Sequence, residues 1–186
     1  MKKRTAIVSI VIVLLSPLLA SSQKAFISLG LELGFPVGNY MEVGNMGVGG
    51  SFRFEHPWSK HVSGILTAEY IQYNTKESSK YLQEKFSALP IQFGVKYYTK
   101  EKTVYPEGIY FTGELGFTGE FYNTTFTGDL NNFVDTHHET YVGVCSALGA
   151  GYQLGIVDMG FRLQTIASTN SGYTAYYKFR IAVTIR

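Results

Sequence analysis

Charged residues recur at every second position of otherwise apolar stretches in this chain, and that spacing limits the chemistry open to them. From Tyr110 to Phe121 the sequence reads YFTGELGFTGEF. Phe111, Leu115, Phe117 and Phe121 share one parity, with Gly113 and Gly119 between them. Tyr110, Thr112, Glu114, Gly116, Thr118 and Glu120 share the other. Successive side chains of a strand point to opposite faces, so Glu114 and Glu120 lie together on a polar face backed by an oily one. A carboxylate in that setting pairs with a cation, trades protons or holds a metal.

The remaining reactive residue types are sparse. His137-His138-Glu139, with His56 and His61 far off in sequence, is the one hint of a metal site. In the topology derived below, the two groups of histidines fall on opposite rims, so no metal site is assigned. Cys145 is the only cysteine, which excludes an internal disulfide. It reads as a small buried or wall residue rather than a nucleophile. Gly149 and Gly151 sit inside a strand pattern and open no helix, so they make no dinucleotide fingerprint. No serine stands in a nucleophile elbow. No catalytic residue and no cofactor-binding residue is assigned, and the expectation is a protein that is not an enzyme.

Alternation of period two extends along most of the chain. It predicts strands at 26–35, 46–55, 62–73, 86–98, 110–121, 139–154, 157–165 and 173–186. Strand three allows two phases. Leu66, Ala68 and Tyr70 are assigned outward because the other choice puts Glu69 on lipid. Pro90 has no donor for a ladder and is expected at a bulge or a strand start. The longer connections, Pro36–Asn45, Asn74–Lys85 and Tyr122–Thr136, alternate with shorter ones, as the outer loops and inner turns of bacterial barrels do. Trp58, Tyr73, Tyr97, Tyr98, Tyr110, Tyr122, Tyr141 and Tyr173 lie toward strand ends, where membrane-interface aromatics belong.

The first 22 residues stand apart. Lys2, Lys3 and Arg4 precede an apolar run from Ile7 to Leu19, and Ala20-Ser21-Ser22 offers small residues for cleavage. That is a signal peptide, leaving a single domain over residues 23–186. Without the three basic residues of the leader the mature chain is nearly neutral, and no basic patch points to nucleic acid. An exported, aromatic-rich chain with no further apolar run near the roughly 20 residues of a membrane helix fits an outer-membrane barrel. The fold class is all-β, an eight-stranded antiparallel up-and-down transmembrane barrel. Its interior is just wide enough to be filled by side chains. Inward charges there need partners of opposite sign, and Glu32, Arg53, Glu69, Lys96, Glu114, Arg162, Lys178 and Arg180 form the expected structural network.

Four segments carry a family resemblance: LPIQFGVKYYT at Leu89–Thr99, GIYFTGELGF at Gly108–Phe117, SALGAGYQLG at Ser146–Gly155 and VDMGFRLQ at Val157–Gln164. In these the chain resembles the small outer-membrane protein β-barrel domain family, close to the OmpX and OmpA barrels and to PorT-like proteins. The resemblance implies the fold and the bacterial outer membrane, and it supplies no active site. The chain ends Ile185-Arg186, where barrels of this kind often end in an aromatic residue. The expected role is structural or interactive, with lipid around the wall and an extracellular protein or glycan at the loops. Two alternatives are a soluble exported barrel holding an apolar ligand inside, as lipocalins do, and an outer-membrane enzyme.

Overall fold

Period-two alternation becomes strand throughout. A computed structural model describes residues 25–38, 44–75, 82–101, 107–127, 134–168 and 172–186. The expected signal peptide, residues 1–22, lies outside the described residues. The strands are β1 (Phe26–Val37), β2 (Gly44–Pro57), β3 (Val62–Thr75), β4 (Leu82–Tyr98), β5 (Gly108–Thr127), β6 (Val134–Leu154), β7 (Val157–Ser168) and β8 (Gly172–Ile185). Each pairs antiparallel with the next, and β1 pairs with β8 to close the barrel. Gly155, at a φ of 56°, closes the two-residue turn between β6 and β7.

The ladder fixes the tilt. Ile27, Phe54, Leu66, Phe93, Leu115, Ser146, Thr165 and Ala175 are successive cross-strand partners, and Ala175 pairs back to β1 at Val37. One circuit therefore climbs ten residues, from 27 to 37. Ten rises of about 3.3 Å set against eight spacings of about 4.8 Å give a strand tilt of about 40°.

The faces are inverted relative to a soluble sheet protein. Leu31 and Leu148 are each 73% exposed, whereas Glu32 is 0% and Glu69 2%. Such a wall suits hydrocarbon, where a closed barrel satisfies every backbone group without water. The lipocalin-like alternative needs the opposite arrangement and does not hold. Strand three takes the phase set by Glu69: Tyr70 is exposed, and Ile65, Thr67, Ile71 and Tyr73 point inward with the carboxylate.

Three expectations need correction. Pro36–Asn45, Asn74–Lys85 and Tyr122–Thr136 are strand at their ends. β1 runs through Pro36 to Val37, β2 starts at Gly44, β3 reaches Thr75, β4 starts at Leu82, β5 reaches Thr127 and β6 starts at Val134. Pro90 is neither a bulge nor a strand start; it sits inside β4 with inward parity unbroken on both sides. Tyr73, Tyr98 and Tyr110 are not interface aromatics. They are 3%, 0% and 2% exposed and fill the lumen, while Trp58, Tyr97 and Tyr173 do face outward.

Candidate functional site

The lumen gathers most of the buried polar chemistry, and it divides into three tiers. At the turn end, Lys96 Nζ lies 3.1 Å from Asp158, 3.3 Å from Glu55 and 3.1 Å from the Gln153 side-chain oxygen. Tyr98 donates to Glu55 at 3.0 Å and Tyr110 donates to Asp158 at 2.5 Å. The Lys96 ammonium also sits 4.0 Å over the Tyr110 ring, a cation–π contact in a dry setting.

The middle tier centres on Arg162. Its guanidinium reaches Glu69 at 2.7 Å, Glu32 at 3.2 Å and Glu114 at 3.6 Å. Lys178 pairs with Glu69 at 2.9 Å, and Arg53 with Glu114 at 3.0 Å. Arg180 links the two tiers, 3.4 Å from Glu32 and 3.1 Å from Asp158. All eight residues of the expected network are brought together, but the pairing crosses the lumen as well as passing between neighbouring strands. Glu55 and Asp158 share the inward parity and join the network, and Glu120, buried on the same face of β5, is a sixth inward acid beside five bases. Sequence reasoning missed the neutral partners. Thr67 accepts from Arg53 at 3.0 Å, Ser51 and Ser28 accept from Arg180 at 3.0 and 2.7 Å, and Tyr98 and Tyr110 hold the acids below. Their parity was the available signal.

The upper tier is mostly aromatic and aliphatic, with the buried Glu120 beside Ala88. Ile71, Tyr73, Phe86, Ala88, Cys145, Ile166 and Tyr176 form one buried cluster. Tyr73 stacks on Phe86 at 5.5 Å and meets Tyr176 at 4.9 Å. Two glycine pairs seat the large rings. Gly34 and Gly47 are cross-strand partners, and a Cβ on either would run into Tyr73. Gly151 and Gly160 are partners too, and a Cβ on either would run into Tyr110.

The histidines stay apart. His56 is the penultimate residue of β2, and His61 follows the β2–β3 turn with its Nδ1 3.0 Å from the Tyr98 carbonyl. His138 lies on β6, its Nδ1 against the side-chain oxygen of Asn123. No cluster of three metal-ligating side chains occurs among the described residues. At the turn rim Lys60 meets Glu101 at 3.0 Å and holds that carboxyl below its ordinary range.

Above the barrel, β5 and β6 stay paired from Tyr122↔Glu139 to Thr127↔Val134, and β4 joins them as far as Leu82↔Phe126. The β6–β7 ladder begins only at Gly143↔Ser168. Residues 134–140 of β6 therefore have no β7 partner among the described residues. Where the strands leave the barrel, Tyr122 and Tyr141 meet edge to face at 5.6 Å, and Tyr141 donates to Glu139 at 2.5 Å.

No protein-family model matches the chain, and no curated protein does. Solved structures do. The attachment invasion locus protein Ail of Yersinia pestis superposes with a TM-score of 0.60 at 10% identity, over 87% of this chain and 97% of that one. A second Ail structure, in complex with the heparin analogue sucrose octasulfate, gives 0.62 at 9% identity over 87% and 97%. A major outer membrane protein of Thermus thermophilus gives 0.58 at 12% identity, over 88% and 100%. The N-terminal β-barrel domain of Pseudomonas aeruginosa OprF gives 0.52 at 9% identity, over 86% and 97%. The chain has the fold of the small outer-membrane β-barrels, and its apolar wall suits the outer membrane as its location.

Proposed function

We propose that this protein is a non-enzymatic surface barrel, exported by residues 1–22, whose filled lumen is structural and whose protruding β4–β6 sheet engages a partner outside the cell. The observation that carries this reading is the β6 edge at 134–140, which continues with β5 past the last residue of β7. An open strand edge offers a row of backbone donors and acceptors, the basis of strand-addition recognition. A rigid sheet also loses less entropy on binding than a loose loop of equal length. The lumen serves the scaffold: acids and bases pair across it, and the aromatic cluster fills its outer part.

The test replaces residues 123–138 with a short glycine-containing turn. The barrel below is expected to remain heat-modifiable on gels. Adhesion of cells carrying the shortened protein to surfaces coated with extracellular-matrix protein or with heparin is expected to fall. Loss on protein alone identifies strand addition, and loss on heparin identifies a glycan partner. Unchanged adhesion to both sinks the reading.

A further inference from the structure

β6 leaves the barrel with its ladder to β5 intact and its register unbroken, so side chains keep alternating between two faces above the wall. One of these faces continues the lumen. On it Tyr122 packs on Phe86 at 4.8 Å and meets Tyr141 edge to face at 5.6 Å. Glu139 stands on the same face, the cross-strand partner of Tyr122 and two residues from Tyr141. It is exposed, and the Tyr141 hydroxyl donates to it at 2.5 Å. The lumen acids Glu32, Glu69 and Glu114 each meet a base, whereas Glu139 meets no cation among the described residues.

The direction of the backbone shows what the open edge presents. A Cβ on Gly143 would strike the Ala167 carbonyl, and one on Gly151 the Met159 carbonyl. Those carbonyls point at β6, so their partners Val144 and Tyr152 turn their own N–H and C=O toward β7. Backbone groups alternate sides along a strand, which puts the even-numbered residues of β6 on the β7 side and the odd-numbered ones on the β5 side. Thr140 and His138 therefore aim their N–H and C=O where β7 supplies no partner among the described residues. Glu139 aims its own at β5.

That phase constrains an added strand. If it runs antiparallel, it bonds to Thr140 and His138 and leaves the residue opposite Glu139 in a non-hydrogen-bonded pair, where facing side chains come closest. An opposite charge is favoured in that position and a like charge is not. The Glu139 carboxylate has acceptor capacity beyond the one Tyr141 hydroxyl. The Tyr141 ring lies on the diagonal, within reach of a long side chain, and attracts a cation over its face. The same carboxylate repels a sulfated glycan. It also opposes a second copy of the barrel in the register that would set Glu139 against itself.

We propose that the partner of the β6 edge is an extended protein segment with lysine or arginine opposite Glu139, its cation held between the carboxylate and the Tyr141 ring. The inference rests on strand addition at the protruding sheet and adds the charge of the partner to it.

The test uses the full-length mature barrel in neutral detergent micelles and fluorescent peptides of alternating threonine and valine, read by anisotropy. The central residue is arginine, its uncharged isostere citrulline, or glutamate. A fourth peptide keeps the arginine but is N-methylated at alternate residues, which blocks pairing with a strand edge. The arginine peptide is expected to bind about threefold more tightly than the citrulline one, with glutamate weaker still. Glu139→Lys, at an exposed position, should reverse that order. Tyr141→Leu should weaken the arginine peptide about threefold and leave the citrulline peptide unchanged. N-methylation should abolish binding. Equal affinity for arginine and citrulline, or an order that Glu139→Lys leaves unchanged, overturns the charge preference while strand addition stands. Undiminished binding of the N-methylated peptide, or binding of no peptide, removes strand addition and this inference with it.

Discussion

The charged tiers and the aromatic tier of the lumen occupy the same inward positions of the same strands, yet they are held by opposite physics. Below, Arg162 faces three carboxylates, and none of the four groups is tolerable alone in a dry interior. Above, Ile71, Phe86 and Tyr176 need only shape. The lesson is that an inward position does not dictate polarity in a barrel this narrow. What matters is that each tier is complete in its own terms. A tier of ions fails when one partner is lost, and a tier of rings fails when its seats are filled.

The widest separation between the tiers comes from removing their central cation. Arg162→Met leaves Glu32, Glu69 and Glu114 short of a partner and should cost about 3–5 kcal/mol, read from the urea midpoint of the barrel in detergent micelles. A loss under about 1 kcal/mol would show that the remaining cations suffice and would erase the contrast. A smaller effect addresses what the two ends share. Gly151→Ala drives a methyl into Tyr110, and Gly47→Ala drives one into Tyr73, so each should cost about 1–3 kcal/mol by overpacking. Pairing each with Tyr→Leu at the covering ring should recover part of the loss, measured as non-additivity in a double-mutant cycle. Strict additivity at either end would mean that the ring does not rest on that glycine pair.

The smallest effect lies outside both tiers. Lys60→Ala breaks the exposed pair with Glu101, and the unfolding midpoint should not move measurably at neutral pH. Because that carboxyl is held low in the folded protein, the little stability it lends is present above its unfolded pKa and disappears as pH falls through the lowered folded value. A shift comparable to that of Arg162→Met would put solvent-exposed and buried pairs on one footing.

The sequence made the barrel legible because lipid on one side and packed lumen on the other impose alternation wherever the wall spans the bilayer. Glu69 alone settled the phase of strand three. The same reasoning explains the errors. Above the membrane no hydrocarbon imposes one oily face, so alternation ends and Asn123 and Thr136 read as loop although the ladder continues. Tyr98 has the parity of Lys96 and was readable as a lumen residue, but a tyrosine near a strand end equally fits the membrane interface. The partners of Lys96 and Arg162 were not readable at all. They depend on the ten-residue climb of the ladder, which brings together side chains far apart on neighbouring-strand counts.

That cross-lumen pairing bears on how the barrel enters the membrane. Arg53 on β2 waits for Glu114 on β5, Lys96 on β4 for Asp158 on β7, and Lys178 on β8 for Glu69 on β3. None of these three pairs closes within a single hairpin. Each partial sheet would hold bare charges against hydrocarbon until the opposite wall arrives. Insertion is therefore expected to be concerted, with β8 docking on β1 as the step that neutralises the interior, and slow in the manner of topologies whose contacts lie far apart along the chain.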